Sequence, residues 1–121
     1  MREEDLLKLR QELEDRLKYL ETTTLSLVKS LREMASLKLG ESDIILAQSQ
    51  VRMDDSMLER HNREIDDITY SLSKFETNDY GICEMCEDDI AIERLHAKPH
   101  ARYCIGCREI YEKKEREKEN S

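Results

Sequence analysis

The chain has 121 residues, a formal net charge of −8, 40% charged residues and only 38% hydrophobic ones. That length suits one domain, and that composition suits long solvated helices better than an ordinary globular core. It excludes a deep apolar catalytic pocket, for which too little apolar material is present. It also excludes a membrane span, because no run of about 18 apolar residues occurs. An acidic surface is repelled by duplex DNA, so a sequence-specific DNA reader is not expected. The opening Met1-Arg2-Glu3-Glu4-Asp5 is acidic and leads into spaced leucines, unlike a secretory signal. The expected compartment is the reducing cytoplasm, where four cysteines favour metal ligation over disulfides.

The first predicted element is a helix over residues 3–39, uninterrupted by Gly or Pro. Leu6, Leu13, Leu20, Leu27 and Met34 recur every seven residues, with Leu9, Leu17, Leu31 and the weaker Thr24 beside them. A sustained period of seven lays one apolar seam along a helix that twists around a partner. At 1.5 Å per residue the helix would be roughly 50 Å long. Gly40, following Leu39, is expected to take a left-handed C′ conformation and end it. Gly40-Glu41-Ser42-Asp43 then reads as a tight turn, with Ser42 or Asp43 capping the next helix.

The second helix carries its own seam: Ile44, Val51, Leu58, Ile65 and Leu72, widened by Ala47, Ile68 and Phe75. Midway the matching face is polar, at Asp54, Asp55, His61 and Asn62, so the helix should pack best near its far end. Two seams of similar length joined by about four residues must fold back antiparallel. Neither stripe could be buried alone. A parallel dimeric coiled coil is the alternative; the central Gly40 and the matched seam lengths favour the intramolecular hairpin.

The third stretch differs in kind. The turn cluster Thr77-Asn78-Asp79-Tyr80-Gly81 precedes Cys83-x-x-Cys86, and a 17-residue insert with the only proline, Pro99, leads to Cys104-x-x-Cys107. Two Cys-x-x-Cys pairs at this spacing are a strong tetrahedral zinc signal, because each pair converges on one edge of the tetrahedron. With all four positions taken by Cys83, Cys86, Cys104 and Cys107, no coordination site is left for water. One structural Zn²⁺ is expected rather than a catalytic one. A loop this small, with Ile82, Ile90, Ile92, Leu95 and Ile105 as its apolar set, needs metal to offset its chain entropy. His96 and His100 lie in the insert and are expected to be loop or surface residues. A thioredoxin-like redox pair is the rival reading, but it lacks the surrounding βαβ pattern. From Ile90 to Arg108 the insert holds four cations, Arg94, Lys98, Arg102 and Arg108, against one carboxylate, Glu93. Such a cluster is either a mixed surface or a patch for an anionic partner.

The run Tyr80-Gly81-Ile82-Cys83-Glu84-Met85-Cys86, then Ile90-Ala91-Ile92-Glu93-Arg94-Leu95, Ala97-Lys98-Pro99 and Cys104-Ile105-Gly106-Cys107 resembles the zinc finger of the DksA/TraR family. The resemblance implies a non-enzymatic bacterial transcription regulator that binds RNA polymerase directly. Its coiled coil would enter the secondary channel and bring an acidic tip near the catalytic centre, as a monomer, often together with (p)ppGpp. The family's second tip aspartate falls on Asp43, its first on Gly40 and its alanine on Ile45, so Glu41 becomes the candidate for the missing acid. Lys98 and Arg108, with Arg94 beside them, are the implied contacts to (p)ppGpp or the polymerase rim; a third basic position of the family falls on Asp67. The expected fold is therefore all-α: a long antiparallel helical hairpin over residues 1–77 with its tip at 40–45, then a four-cysteine zinc module and C-terminal helix over 78–121. A nucleic-acid-binding zinc protein and a redox-sensing four-cysteine protein are the alternative functions.

Overall fold

The computed structural model describes residues 2–36 and 40–119, apart from the side chains of Glu41 and Ser42. They form four helices: α1 (Glu3–Ser36), α2 (Glu41–Glu76), α3 (Ile92–Ala97) and α4 (Ile105–Glu119). The two long helices make the antiparallel hairpin expected from the paired seams. Among the described residues the sole β-pairing is an isolated antiparallel bridge between Ile82 and Asp89. α1 opens with Glu3, Glu4 and Asp5 in its first turn, where carboxylates complement the positive end of the helix dipole.

By internal contacts the chain divides into two compact units, Asp15–Asp67 and the combination of Met1–Glu14 with Ile68–Ser121. The second of these holds most of the fully buried side chains. Leu9 and Leu13 of α1 and Ile68 and Ser71 of α2 are buried, together with Tyr80, Cys83, Ile90, Leu95 and Ala101 from the following segment. The Phe75 and Tyr80 rings stack at 4.1 Å between centroids, and the Arg10 guanidinium lies 5.8 Å from the Phe75 ring centre. Tyr80 donates its hydroxyl hydrogen to the Pro99 carbonyl at 2.9 Å, and burial holds its phenol well above the ordinary range. His96 Nδ1 on α3 sits 3.5 Å from Glu12 on α1.

The unit Asp15–Asp67 is built differently. Among its described residues Leu20 is the one fully buried apolar side chain, while Leu17, Leu27, Leu31, Val51, Leu58 and Ile65 are half-buried. Arg16 donates to both Glu64 carboxylate oxygens, at 2.5 and 3.2 Å, and lies over the Tyr19 ring. Asp54 is 6% exposed and accepts a bond from Gln50 Nε2 at 2.9 Å. Thr24 Oγ1 and His61 Nδ1 are buried with no hydrogen-bond partner among the described residues. The polar middle read in the second seam is thus present, and burial of Ile68 and Ser71 but not of Ile44 agrees with tighter packing toward the end of α2.

Local structure at the connections departs from expectation. Gly40 does not have a positive φ; Gly81 is the one described glycine that does, at 83°. Gly40 instead caps α2, its carbonyl accepting the Ile44 N–H at 2.9 Å. Ser42 and Asp43 therefore lie inside the first turn of α2 and not ahead of it. The proposed end of α1 at Leu39, and the Ser42 side chain as a cap, fall outside the described residues. The left-handed cap expected at Gly40 is found at the other end of α2. There Asn78 has φ 59° and the Asp79 N–H bonds back to the Lys74 carbonyl at 2.9 Å, a Schellman closure. Asn tolerates this conformation better than most residues, which is why a turn residue other than glycine serves.

Candidate metal centre

The Schellman turn delivers the chain to Gly81, whose positive φ turns it into the first ligand loop. The Gly81 carbonyl accepts the Ile90 N–H at 2.7 Å, and the Asp88 carbonyl accepts the Cys83 N–H at 2.8 Å, closing a short knuckle around Cys83 and Cys86. The Glu87 N–H returns to the Cys83 carbonyl at 2.9 Å, and Glu87 itself is left-handed at φ 64°, turning the chain out of the loop. Leu95 on α3 is fully buried and anchors the insert. The second pair comes from the start of α4: Cys104 precedes its first residue and Cys107 lies in its first turn, with the Arg108 N–H bonded to the Cys104 carbonyl at 2.9 Å. The two loops are joined directly, since the Glu84 N–H donates to the Arg102 carbonyl at 2.9 Å.

All four Sγ atoms lie within 4.8 Å of one another, with Cys86 and Cys104 at 3.9 Å. Four thiolates around zinc with bonds of about 2.3 Å stand about 3.8 Å apart, so the donor set fits one tetrahedral ion. No disulfide joins any of the four cysteines. Burial pushes the Cys83 thiol up, but N–H groups of Cys86, Cys104 and Met85 aimed at its sulfur outweigh that and hold it at about 6. Cys107 is pushed up to about 12, chiefly by hydrogen bonding to Cys104 and then by burial. Four crowded sulfurs resist ionising together, and a divalent cation removes that resistance. The group the site takes is a single structural Zn²⁺.

The other predicted site residues are scattered over the molecule. Asp43 is exposed near the start of α2, with Oδ2 4.0 Å from where a Cβ on Gly40 would sit. Ile45 is 66% exposed beside the also exposed Ile44 and Leu46, and the Glu41 side chain falls outside the described residues. Arg94 on α3 donates Nε–H to the Tyr103 carbonyl at 2.8 Å, bracing the segment that leads to Cys104. Lys98 is the C-cap of α3, its backbone N–H bonded to the Arg94 carbonyl. Arg108 pairs with Glu112 one turn along α4, at 2.8 Å. His96 and His100 are not among the clustered metal donors. Ile105, expected in the module's apolar set, points outward at 59% exposure, and Tyr80 and Ala101 take up core positions instead.

One arrangement around Glu84 had no sequence signal beyond its position between two cysteines. Its carboxylate accepts the Tyr70 hydroxyl at 2.5 Å, bonds to Arg102, and lies 3.5 Å from Lys74 Nζ. Burial pushes its carboxyl up, but Arg102, Tyr70 and Lys74 together hold it below the usual range.

Residues 78–113 match the model of the prokaryotic dksA/traR C4-type zinc finger. Over these residues the chain is similar to the DksA/TraR family. It is 36% identical over 59 residues to the Haemophilus influenzae RNA polymerase-binding transcription factor DksA, an overlap covering 49% of this chain and 41% of that protein. To DksA of Escherichia coli K12 it is 39% identical over 59 residues, covering 49% and 39% respectively. The matched region is therefore well under half the length of these relatives. The likeness to the solved structure of the transcription factor DksA2 from Pseudomonas aeruginosa runs further. It has a TM-score of 0.84 at 28% identity and covers 96% of this chain and 89% of that one. No described helix is long and apolar enough to cross a membrane.

Proposed function

We propose that this protein is a member of the DksA/TraR family and a non-enzymatic regulator of bacterial transcription that binds RNA polymerase directly. One observation above the others supports this reading: the likeness to DksA2 takes in the helical hairpin as well as the finger. The Haemophilus influenzae and Escherichia coli relatives are themselves named RNA polymerase-binding transcription factors. In this reading residues 1–77 are a probe that enters the secondary channel, and residues 78–121 are the foot that rests on its rim. Asp43, with Glu41 and Ile45, acts at the tip near the catalytic centre. An exposed carboxylate beside exposed Ile44, Ile45 and Leu46 suits a tip that meets a protein surface. Lys98, Arg108 and Arg94 are the candidate contacts to the rim or to (p)ppGpp. The protein works as a cytoplasmic monomer without reading DNA sequence, consistent with its net charge of −8.

Run-off transcription with purified polymerase, with and without (p)ppGpp, tests this reading. The wild-type chain is expected to change initiation and to co-purify with polymerase in the absence of DNA. Asp43→Asn is expected to keep the binding and lose the effect. Normal regulation by that variant would refute the tip assignment, and absence of polymerase binding would refute the function.

A further inference from the structure

Glu84 lies between the ligands Cys83 and Cys86, so its backbone position is set when both sulfurs share one ion. Its side chain points to α2. The carboxylate takes the Tyr70 hydroxyl at 2.5 Å, sits 3.5 Å from Lys74 Nζ, and bonds to Arg102, two residues before Cys104. Tyr70 and Lys74 are one turn apart in the last two turns of α2. The cations also flank the Tyr70 ring, Lys74 Nζ at 4.8 Å and Arg102 Cζ at 4.9 Å from its centre. One carboxylate thus joins three segments: the first ligand loop, the approach to the second, and the end of the hairpin helix. A network of this kind holds geometry where an isolated surface pair would not.

We propose that Glu84 is a positioning residue through which the end of α2 senses whether the zinc site is filled. With zinc held, the Cys83–Cys86 loop presents the carboxylate to Tyr70 and Lys74 and pins residues 70–76. When the ion leaves, the loop relaxes, the carboxylate withdraws, and those turns open more often. Coupling between two sites is reciprocal, so Tyr70, which is no ligand, contributes to zinc retention. The link belongs to this chain's own packing and does not depend on which partner the protein serves.

Amide hydrogen exchange on the full-length protein tests the link, because local opening is what it reads. Zinc-loaded and chelator-stripped samples are compared at residues 70–76, alongside zinc transfer to a chromophoric chelator. Stripping should speed exchange there roughly tenfold, within the usual range for linked sites. The stacked Phe75 and Tyr80 rings offer a second route from the module to α2, so Glu84→Ala with zinc bound is the deciding sample. It should already exchange at nearly the stripped rate. Tyr70→Phe keeps the ring and both cations and removes only the hydroxyl; it should give up zinc several-fold faster, at unchanged helical circular dichroism. If Glu84→Ala does not hold zinc, Tyr70→Phe carries the exchange measurement as well. The proposal is overturned if the zinc-loaded variants exchange as slowly as wild type, if stripping leaves wild-type exchange unchanged, or if Tyr70→Phe retains zinc like wild type.

Discussion

The two compact units draw order from different sources. The unit that contains the cysteines is knitted from many short connections: fully buried Leu9, Leu13, Ile68 and Leu95, the Phe75–Tyr80 stack, the Glu84 network and four converging sulfurs. The described residues of the unit Asp15–Asp67 are two helices with one fully buried leucine, a buried Asp54, two polar atoms without a partner among the described residues, and exposed apolar residues at Ile44, Ile45 and Leu46. An open groove of about 690 Å³ lies between its helices, lined by Leu31, Met34, Ile44, Ala47 and Val51 among others. Close packing needs apolar volume on both facing stripes. The first unit has it, and the second has placed polar groups in the seam. One unit is thus closely packed around four cysteines and the other is a sparsely packed pair of helices, and the difference is open to experiment.

The largest effect is expected from the metal. Structural zinc supplies on the order of 10 kcal/mol in small zinc peptides, more than a segment with so few buried side chains can replace. Cys104→Ser, or removal of zinc by a chelator, should abolish ordered tyrosine signals in near-ultraviolet circular dichroism and lower the thermal midpoint sharply. Most far-ultraviolet helical signal should remain, because residues 15–67 contain no zinc ligand. Loss of helical signal in parallel with the tyrosine signal would show that both units depend on the ion.

A smaller effect separates the two kinds of leucine. Leu13 is 1% exposed, and its replacement by Ala should cost about 2–5 kcal/mol, as for other buried leucines. Leu46 is 71% exposed, and Leu46→Ser should stay within about 0.5 kcal/mol. Urea unfolding followed by circular dichroism measures both. A large loss at Leu46 would mean that the exposed apolar run is covered in solution, for instance by a second copy of the chain.

Much of this was legible in the residues themselves. The heptad leucines announce the hairpin because helical periodicity is a local property that burial only confirms, and the cysteine spacing announces zinc because four soft ligands have few other uses together. Turn chemistry was harder to read. The left-handed conformations fall on Asn78, a residue type that tolerates them, and on Glu87, whose identity does not advertise one, and not on Gly40. Long-range side-chain partnerships were not legible at all. Arg94 reads as a free cation in sequence yet braces the Tyr103 carbonyl, and Glu84 reads as a surface acid yet meets Tyr70, Lys74 and Arg102. Such contacts depend on which face of α2 the module covers, a tertiary fact that no short window contains. Asp54, Asp55, His61 and Asn62 showed that the seam is interrupted, but not that Asp54 would be the buried one.

That interruption gives the finest test of the difference between the units. Thr24 fills a seam position on α1, and its hydroxyl oxygen is buried with no partner among the described residues. A polar atom withdrawn from water without a replacement bond costs about 1–3 kcal/mol. Thr24→Val keeps the branched shape, has nearly the same helix propensity, and removes that cost. It should therefore stabilise the protein by about 1 kcal/mol, read as a higher urea midpoint at unchanged slope. The gain would belong to the unit Asp15–Asp67 alone, so amide exchange should slow there and stay the same around the cysteines. If Thr24→Val instead destabilises the chain, the hydroxyl is satisfied in solution by an ordered water, which needs other polar groups to hold it. The polar seam would then be a connected network and not a row of defects, and the loose packing of this unit would have to be assigned to its open groove.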